Sequence, residues 1–254
     1  MKSPFYLHNM TQPAAAARLR EGRTALVVVG SVEQHGPHLP LGTDGVAALA
    51  VAERVAERWR SPIVLLSLVG IAPYHLSWPG SLTLQPSTLM AMFVDVCRGL
   101  KGAGADRIVL VNWHEGNTPT LRLAAEEVQR TIGARVVIAE THVITNQLFP
   151  EEMEFTHAGA METAGVLAYD EALVQLDQIG EQPERSVGER GHELFRRRDV
   201  FPILKDFHEI SPSGWYGSPQ AITKERADEI FERVADHLIE RAEEIWQTLG
   251  EPEQ

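Results

Sequence analysis

Cysteine is nearly absent from this chain. The single thiol, Cys97, excludes an internal disulfide and any cysteine-based zinc module. It sits among Met92, Phe93 and Val96 in an apolar helical stretch, where a free thiol packs as a small hydrophobe. Positive charge is also in deficit: 23 Lys and Arg face 35 Asp and Glu, a formal net charge of −12. Nucleic acids and anionic membranes require the opposite sign, so neither is an expected partner. Long apolar runs are missing. Those at 25–29 and 63–69 fall far short of the roughly 20 residues a spanning helix needs. Residues 1–10 pair no basic segment with an apolar core, so no secretory signal is read there and a cytoplasmic location follows by elimination.

Several catalytic signatures are missing as well. No Gly-x-Ser-x-Gly elbow offers a serine nucleophile. Gly99, Gly102 and Gly104 follow a helix and precede a strand, the reverse of a dinucleotide-binding loop. His192-Glu193 and His208-Glu209 lack the second histidine of a helical zinc-protease motif.

What remains is the make-up of an ordinary globular enzyme, 44% hydrophobic over 254 residues, read as a single domain spanning 1–254. Residues 24–30 form a β-branched run ending in glycine, the pattern of a buried parallel strand. Further strands are predicted over 63–70, 107–112 and 135–140, and helices over 43–60, 86–100, 119–132, 158–176 and 222–249. Residues 141–155 read as irregular and 181–191 as a polar loop. The β-α-β-α-β-α-β order implies an α/β fold: a mostly parallel central sheet with helices on both faces.

Ligands of such sheets bind beyond the carboxyl ends of the strands. Unusual polar residues fall just there: Glu33, His35, His38 and Asp44 after the first strand, Tyr74 and His75 after the second. His114, Glu115 and Asn117 follow the third, and His142 and Asn146 the fourth. Glu33 and His35 alternate, so extended backbone points both to one side, and Gly-Pro turns let Asp44 fold back at a helix start. Mixed carboxylate and imidazole donors without thiolates suit Zn, Mn or Fe. His114, between a strand end and a helix start, is the natural fourth ligand. Asn117 either caps the next helix or serves the site. His157, in His157-Ala-Gly-Ala-Met-Glu162-Thr163, has the intrinsic pKa of a general acid or base, and Glu162 lies one turn further on. Trp78 and Trp113 are candidate pocket walls; Trp59, Trp215 and Trp246 read as packing or interface residues.

The string from Glu33 to Asp44 resembles the creatininase (creatinine amidohydrolase) family and its Glu-x-His-Gly-x-His-Leu-Pro-x-x-x-Asp pattern. The resemblance continues through Pro79-Gly80-Ser81-Leu82, residues 112–117 and 157–163, and Tyr216-Gly217-Ser218-Pro219. It implies a three-layer α/β/α fold, two divalent cations per chain and a homo-oligomer, often a hexamer built as a trimer of dimers. Carried over by position, Glu33, Asp44 and His114 hold one metal, His35 and Asp44 the other, and Asp44 bridges. His157 matches the family's catalytic histidine and Glu162 its nearby carboxylate. Creatininases carry a glutamate at the position of Gly116, so the second metal here takes Glu162 or water instead. Glu115 replaces a substrate-contacting tyrosine, and Met153 and Glu154 replace a tryptophan and an aspartate. The expected activity is hydrolysis of a small, cyclic or linear amide other than creatinine, in a pocket lined by Glu115, Trp113, His75 and Trp78. Opening of a cyclic keto-polyol by carbon–carbon hydrolysis is the alternative, and a non-catalytic metal-binding scaffold the remote one.

Overall fold

The computed structural model describes residues 3–180, 194, 197 and 199–250. The polar stretch read at 181–191 and the His192-Glu193 pair lie outside them. Four strands, β1 (Thr24–Val29), β2 (Ile63–Ser67), β3 (Arg107–Asn112) and β4 (Arg135–Glu140), pair in parallel in the order β2-β1-β3-β4. Every residue of β1 is buried, which is why its sequence reads as one unbroken apolar run.

Alternation along the strands divides the core in two. Leu26, Val28, Val109 and Val111 point to one face, where α2 (Thr43–Trp59), α5 (Thr141–Leu148), α6 (Ala160–Tyr169) and α7 (Lys224–Leu249) pack. Ala25, Val27, Val29, Ile108 and Leu110 point to the other, beneath α1 (Gln12–Gly22), α3 (Pro86–Gly102) and α4 (Thr118–Thr131). This is the three-layer α/β/α architecture with a parallel sheet that the element order implied. Cys97 is buried in the second core and burial pushes its thiol up to about 12, so it is inert packing. In α7, Ile230, Phe231, Val234 and Leu238 form the inner stripe. Each such side chain contributes roughly 1.5–3 kcal/mol on burial. Thr223 caps this helix, its Oγ1 accepting from Arg226 N at 3.3 Å.

Three local readings change. Residues 141–148 are helical, not irregular. The run is poor in strong helix formers, but Thr141 Oγ1 donates to the Asn112 carbonyl at 2.8 Å, which ties the helix start to β3, and the helix packs on α7. The helix expected over 158–176 is shorter: Ala158 has φ 55°, Ala160 opens the helix, and it ends at Tyr169 before two 3-10 turns. Finally, α1 was not anticipated; its apolar content is mostly alanine and carries little periodic signal.

The strand order places the site. From β1 the chain leaves toward β2 on one side, and from β3 toward β4 on the other. The loops after β1 and β3 therefore diverge and leave a crevice at their carboxyl ends. Among the described residues, no helix is long and apolar enough to cross a membrane.

Candidate metal centre

Glycine makes the crevice tight. A Cβ at Gly30 would lie 2.5 Å from the Gly45 Cα, so only glycine lets the first turn of α2 close on the end of β1. That approach carries Asp44 beneath Glu33 and His35. Asp44 lies in the first turn of α2, with Gly42 at the cap position. Glu33, His35 and Asp44 are all at most 2% exposed, and donor atoms from the three lie within 4.8 Å of one another.

Two histidines complete the cluster in the same manner. His35 Nδ1 donates to the Glu33 carbonyl at 3.0 Å, leaving Nε2 3.8 Å from Asp44 Oδ1 and 3.7 Å from Glu162 Oε2. His114 Nε2 donates to the Ile71 carbonyl at 3.0 Å, leaving Nδ1 3.3 Å from both Glu33 Oε2 and Asp44 Oδ2. A carbonyl oxygen only accepts, so each ring proton is assigned to the nitrogen facing it and the other nitrogen is aimed at buried carboxylates. Metal-binding histidines are oriented by this kind of anchoring. His35 Nε2 and Asp44 Oδ2 are fully buried without a hydrogen-bond partner.

Charge tells the same story. Burial opposes protonation of His35, but the carboxylates of Glu162, Asp44 and Glu33 outweigh it and lift the ring to about 10. Burial likewise opposes protonation of His114, and Glu33 and Asp44 raise it to about 10. Burial pushes the Glu33 carboxyl up, whereas both histidines hold Asp44 well below its ordinary range against the burial that would raise it. Burial and the neighbouring Asp44 bring Glu162 up to about 7, against the pull of His35. A buried set with this much negative charge needs cations, and in their absence protons on the two histidines supply them. Divalent ions in place of those protons fit the donors present.

The surrounding residues hold this cluster. Ser31 Oγ donates to Glu33 Oε2 at 2.6 Å. Gln34 Nε2 donates to His75 Nδ1 at 3.2 Å, which turns the protonated His75 Nε2 toward Glu33 Oε1, 3.5 Å away. His157 Nε2 lies 2.8 Å from the Gln34 backbone carbonyl and 3.0 Å from Gln34 Nε2; the carbonyl can only accept, which assigns the ring proton to Nε2 and the lone pair to Nδ1, and burial keeps this ring well below its ordinary pKa. Glu162 accepts from Ala158 N, and its carboxylate, His35 and His157 present donor atoms within 4.8 Å of one another. Asn117 makes no capping bond; its Nδ2 donates to the Gly30 carbonyl and its Oδ1 accepts from Ile71 N, both at 2.9 Å, bracing the loops after β1 and β2.

A cavity of about 650 Å³ opens over the cluster. Of the residues expected on the rim, Glu33, Asp44, Tyr74, His75, His114, Glu115 and His142 line it, joined by Trp113, His157 and Glu162, whereas His35, His38, Asn117 and Asn146 do not. Trp78 stands behind, stacked on His208 with ring centroids 3.7 Å apart. His38 turns away to donate to the Ala158 carbonyl at 2.8 Å. Met153 lies in the core, 1% exposed. The aromatic wall comes instead from Phe155, Phe207 and Tyr216. Sequence reasoning passed over Ser31, Gln34 and Phe207; the first two stand inside the Glu33–Asp44 string or beside it, whereas Phe207 gives no local signal.

Buried carboxylates and anchored imidazoles at the switch point of a parallel α/β sheet define the class: a protein built to hold metal ions beneath a substrate-sized cavity. The creatinine amidohydrolase (creatininase) family model matches residues 8–242, and the chain belongs to that family of hydrolases. It is 28% identical to creatinine amidohydrolase of Pseudomonas putida, covering 91% of this chain and 94% of that one. It is 26% identical to 3-dehydro-scyllo-inosose hydrolase of Thermotoga maritima (94% and 83% covered) and 29% identical to mycofactocin precursor peptide peptidase of Mycobacterium ulcerans (85% and 83%). Among solved structures, a creatininase variant of the Zn–Zn type superposes with a TM-score of 0.76 at 26% identity, covering 96% of this chain and 98% of that one. A manganese creatininase gives 0.73 at 28% identity, covering 97% and 99%.

Proposed function

We propose that this chain is a two-metal hydrolase that cleaves the C–N bond of a small amide, cyclic or linear, and that creatinine is not its substrate. The observation that carries the reading is the pair His35 and His114. Each spends one N–H on a backbone carbonyl and turns its other nitrogen to buried carboxylates. Glu33, Asp44 and His114 would hold one cation, and His35, Asp44 and Glu162 the other, with Asp44 shared. Zinc, manganese or iron suits this donor set. Such ions polarise a carbonyl oxygen and lower the pKa of water from about 15.7 toward about 7.

The chain's own residues handle the protons. His157 is neutral, with Nε2–H held by the Gln34 carbonyl, so Nδ1 is its basic atom. There it takes the proton released as water adds to the carbonyl carbon, and it returns that proton to the departing nitrogen as the C–N bond breaks. General acid–base transfer of this kind is worth about 10²–10⁴ in rate. Gln34 holds both His75 and His157, which keeps Glu33 oriented while the proton moves.

Substrate identity rests on the cavity. Its volume, about 650 Å³, exceeds what a single small flat ring fills, and Met153 lies in the core instead of the wall. The second reading, carbon–carbon hydrolysis of a cyclic keto-polyol, is favoured by the polar side chains of Glu115 and His142 on that wall and by the likeness to the inosose hydrolase. A homo-oligomer, which rests on the family resemblance, and a cytoplasmic setting, read by elimination from the sequence, belong to the same proposal. Metal-replete protein assayed against hydantoins, formamides, keto-inositols and creatinine decides between the readings. Turnover of amides supports the first, turnover of keto-inositols the second, and efficient creatinine hydrolysis overturns the exclusion.

A further inference from the structure

The ends of β3 and β4 build a wall of the cavity, and His142 on it takes no part in the proton transfers or metal binding described above. His142, in the first turn of α5, is 7% exposed and lines the cavity. Its Nδ1 is buried without a hydrogen-bond partner, 4.0 Å from Glu140 Oε2. Glu140, the last residue of β4, is held from behind by Asn112 Nδ2 at 2.7 Å. The same Nδ2 donates to the His114 carbonyl at 2.8 Å, so the wall is tied to the metal-holding loop. The His142 ring meets Phe155 edge-on, centroids 5.9 Å apart, which fixes its plane.

The ring's role follows from its neighbours. Burial holds His142 down to about 4, so it is neutral and carries one proton. Nδ1 faces the Glu140 carboxylate at 4.0 Å, too far to hydrogen-bond but close enough for its charge to favour the proton there, so the proton is assigned to Nδ1 and Nε2 is left as an acceptor. Beside it Glu115 adds a carboxylate to the lining. Trp113, His114, Glu115, His142 and Val143, the residues these two strand ends send to the cavity, include no lysine, arginine or amide. The acceptors on this wall, His142 Nε2 and the Glu115 carboxylate, are satisfied by donors on a bound molecule that displaces water from them. A substrate that lacks them leaves the acceptor unpaired and binds poorly.

We propose that this wall is a specificity subsite for hydroxyl or amino groups that the substrate carries beyond the bond being cleaved. His142 is the accepting residue, its ring held edge-on against Phe155. The subsite rests on the hydrolase reading for where the cleaved bond lies, but not on which bond it is.

Calorimetry on the zinc-loaded protein tests it without turnover. The probes are scyllo-inositol (ring hydroxyls), trans-1,4-diaminocyclohexane (ring amines) and cyclohexanol (a similar ring nearly stripped of donors). One of the first two should bind about tenfold or more tighter than cyclohexanol, the worth of one or two satisfied hydrogen bonds. His142→Phe, which keeps a ring against Phe155, should erase most of that preference while elemental analysis finds the metal content of the wild type. His142→Asn, which keeps an acceptor, should recover part of it. Preference for the polyol identifies hydroxyls as the donors; preference for the diamine, weakened further by Glu115→Gln, identifies amines. Equal binding of all three probes by the wild type, or an undiminished preference in His142→Phe, overturns the subsite. Absence of amide hydrolysis would refute the C–N reading and leave this binding result standing.

Discussion

Glu162 Oε2 stands 3.7 Å from His35 Nε2, on a helix that arrives more than a hundred residues after the loop it completes. This contact supplies a carboxylate where residue 116 cannot. A Cβ at Gly116 would lie 2.4 Å from the Ile71 carbonyl and 2.5 Å from His114 Nε2, inside the very hydrogen bond that orients His114. The glutamate that creatininases carry at this position is therefore sterically excluded here. Glu162→Gln is expected to retain the ion proposed for Glu33, Asp44 and His114 and to lose most of the other. Elemental analysis of the purified variant reads this directly, and two tightly held ions would remove Glu162 from the ligand set.

The same geometry makes Gly116→Ala costly. The added methyl must push either His114 or the loop at Ile71 aside. Overpacking of this kind costs about 1–3 kcal/mol, and at this chain length each kcal/mol lowers the Tm by roughly 2–4 °C. The expected variant melts lower and holds the His114-side metal weakly. A variant with wild-type melting and metal content would show that the loop yields easily.

How much of this was legible beforehand differs from element to element. β1 announced itself because both faces are buried, so Thr24–Val29 has no polar alternation to confuse it. Glu33, His35 and Asp44 were legible because they fall within one short string whose spacing is itself chemical. Glu162 was legible only through the family resemblance, since its approach to His35 depends on how α6 packs against α2. α5 was hidden because its start is tied to the Asn112 carbonyl by Thr141 Oγ1 and its face packs on α7, neither of which is visible in local propensity. Gln34 was in plain sight, but nothing in sequence shows that one glutamine joins His75 and His157.

Metal binding should depend steeply on pH. Without metal, His35 and His114 hold protons up to about 10, against about 6.5 for a free imidazole. An incoming ion must displace those protons, so affinity falls as pH falls, by up to about tenfold per proton per pH unit. The linkage for stability has the opposite sense. Because the folded-state values are raised, the metal-free protein draws full stability from these groups below about 6.5 and loses it as pH rises toward 10. Metal-free protein should therefore melt at lower temperature at pH 9 than at pH 6.5, and zinc-loaded protein should not show that decline. Parallel melting curves with and without chelator check both signs.

Asp44→Ala should cost more metal than His35→Ala. Asp44 Oδ2 lies 3.3 Å from His114 Nδ1 while Oδ1 lies 3.8 Å from His35 Nε2, so one carboxylate faces both halves of the cluster. Removing it leaves two cations close together without their shared anion, a repulsion that water only partly screens. Equal loss of a single ion in both variants would assign Asp44 to one metal only.

The last expectation separates proton transfer from metal binding, and the two histidines concerned are anchored alike. His114 Nε2 is held by the Ile71 carbonyl and His157 Nε2 by the Gln34 carbonyl, so each offers Nδ1 to the site. Their surroundings differ. His114 Nδ1 is flanked by two carboxylates at 3.3 Å and its pKa is raised to about 10, whereas burial holds His157 well below 6.5. The first environment attracts a cation, and the second suits a neutral base that takes up a proton during the reaction and gives it back. His157→Ala should therefore keep its two metals and lose about 10²–10⁴ in turnover, and added zinc should not restore it. His114→Ala should lose metal and activity together and regain part of both in excess zinc. Metal content and single-turnover rates for the two variants decide the matter. If His157→Ala emerges metal-depleted, this histidine is a ligand, and the proton falls to Glu162, whose carboxyl lines the cavity and is pushed up by burial in the metal-free site.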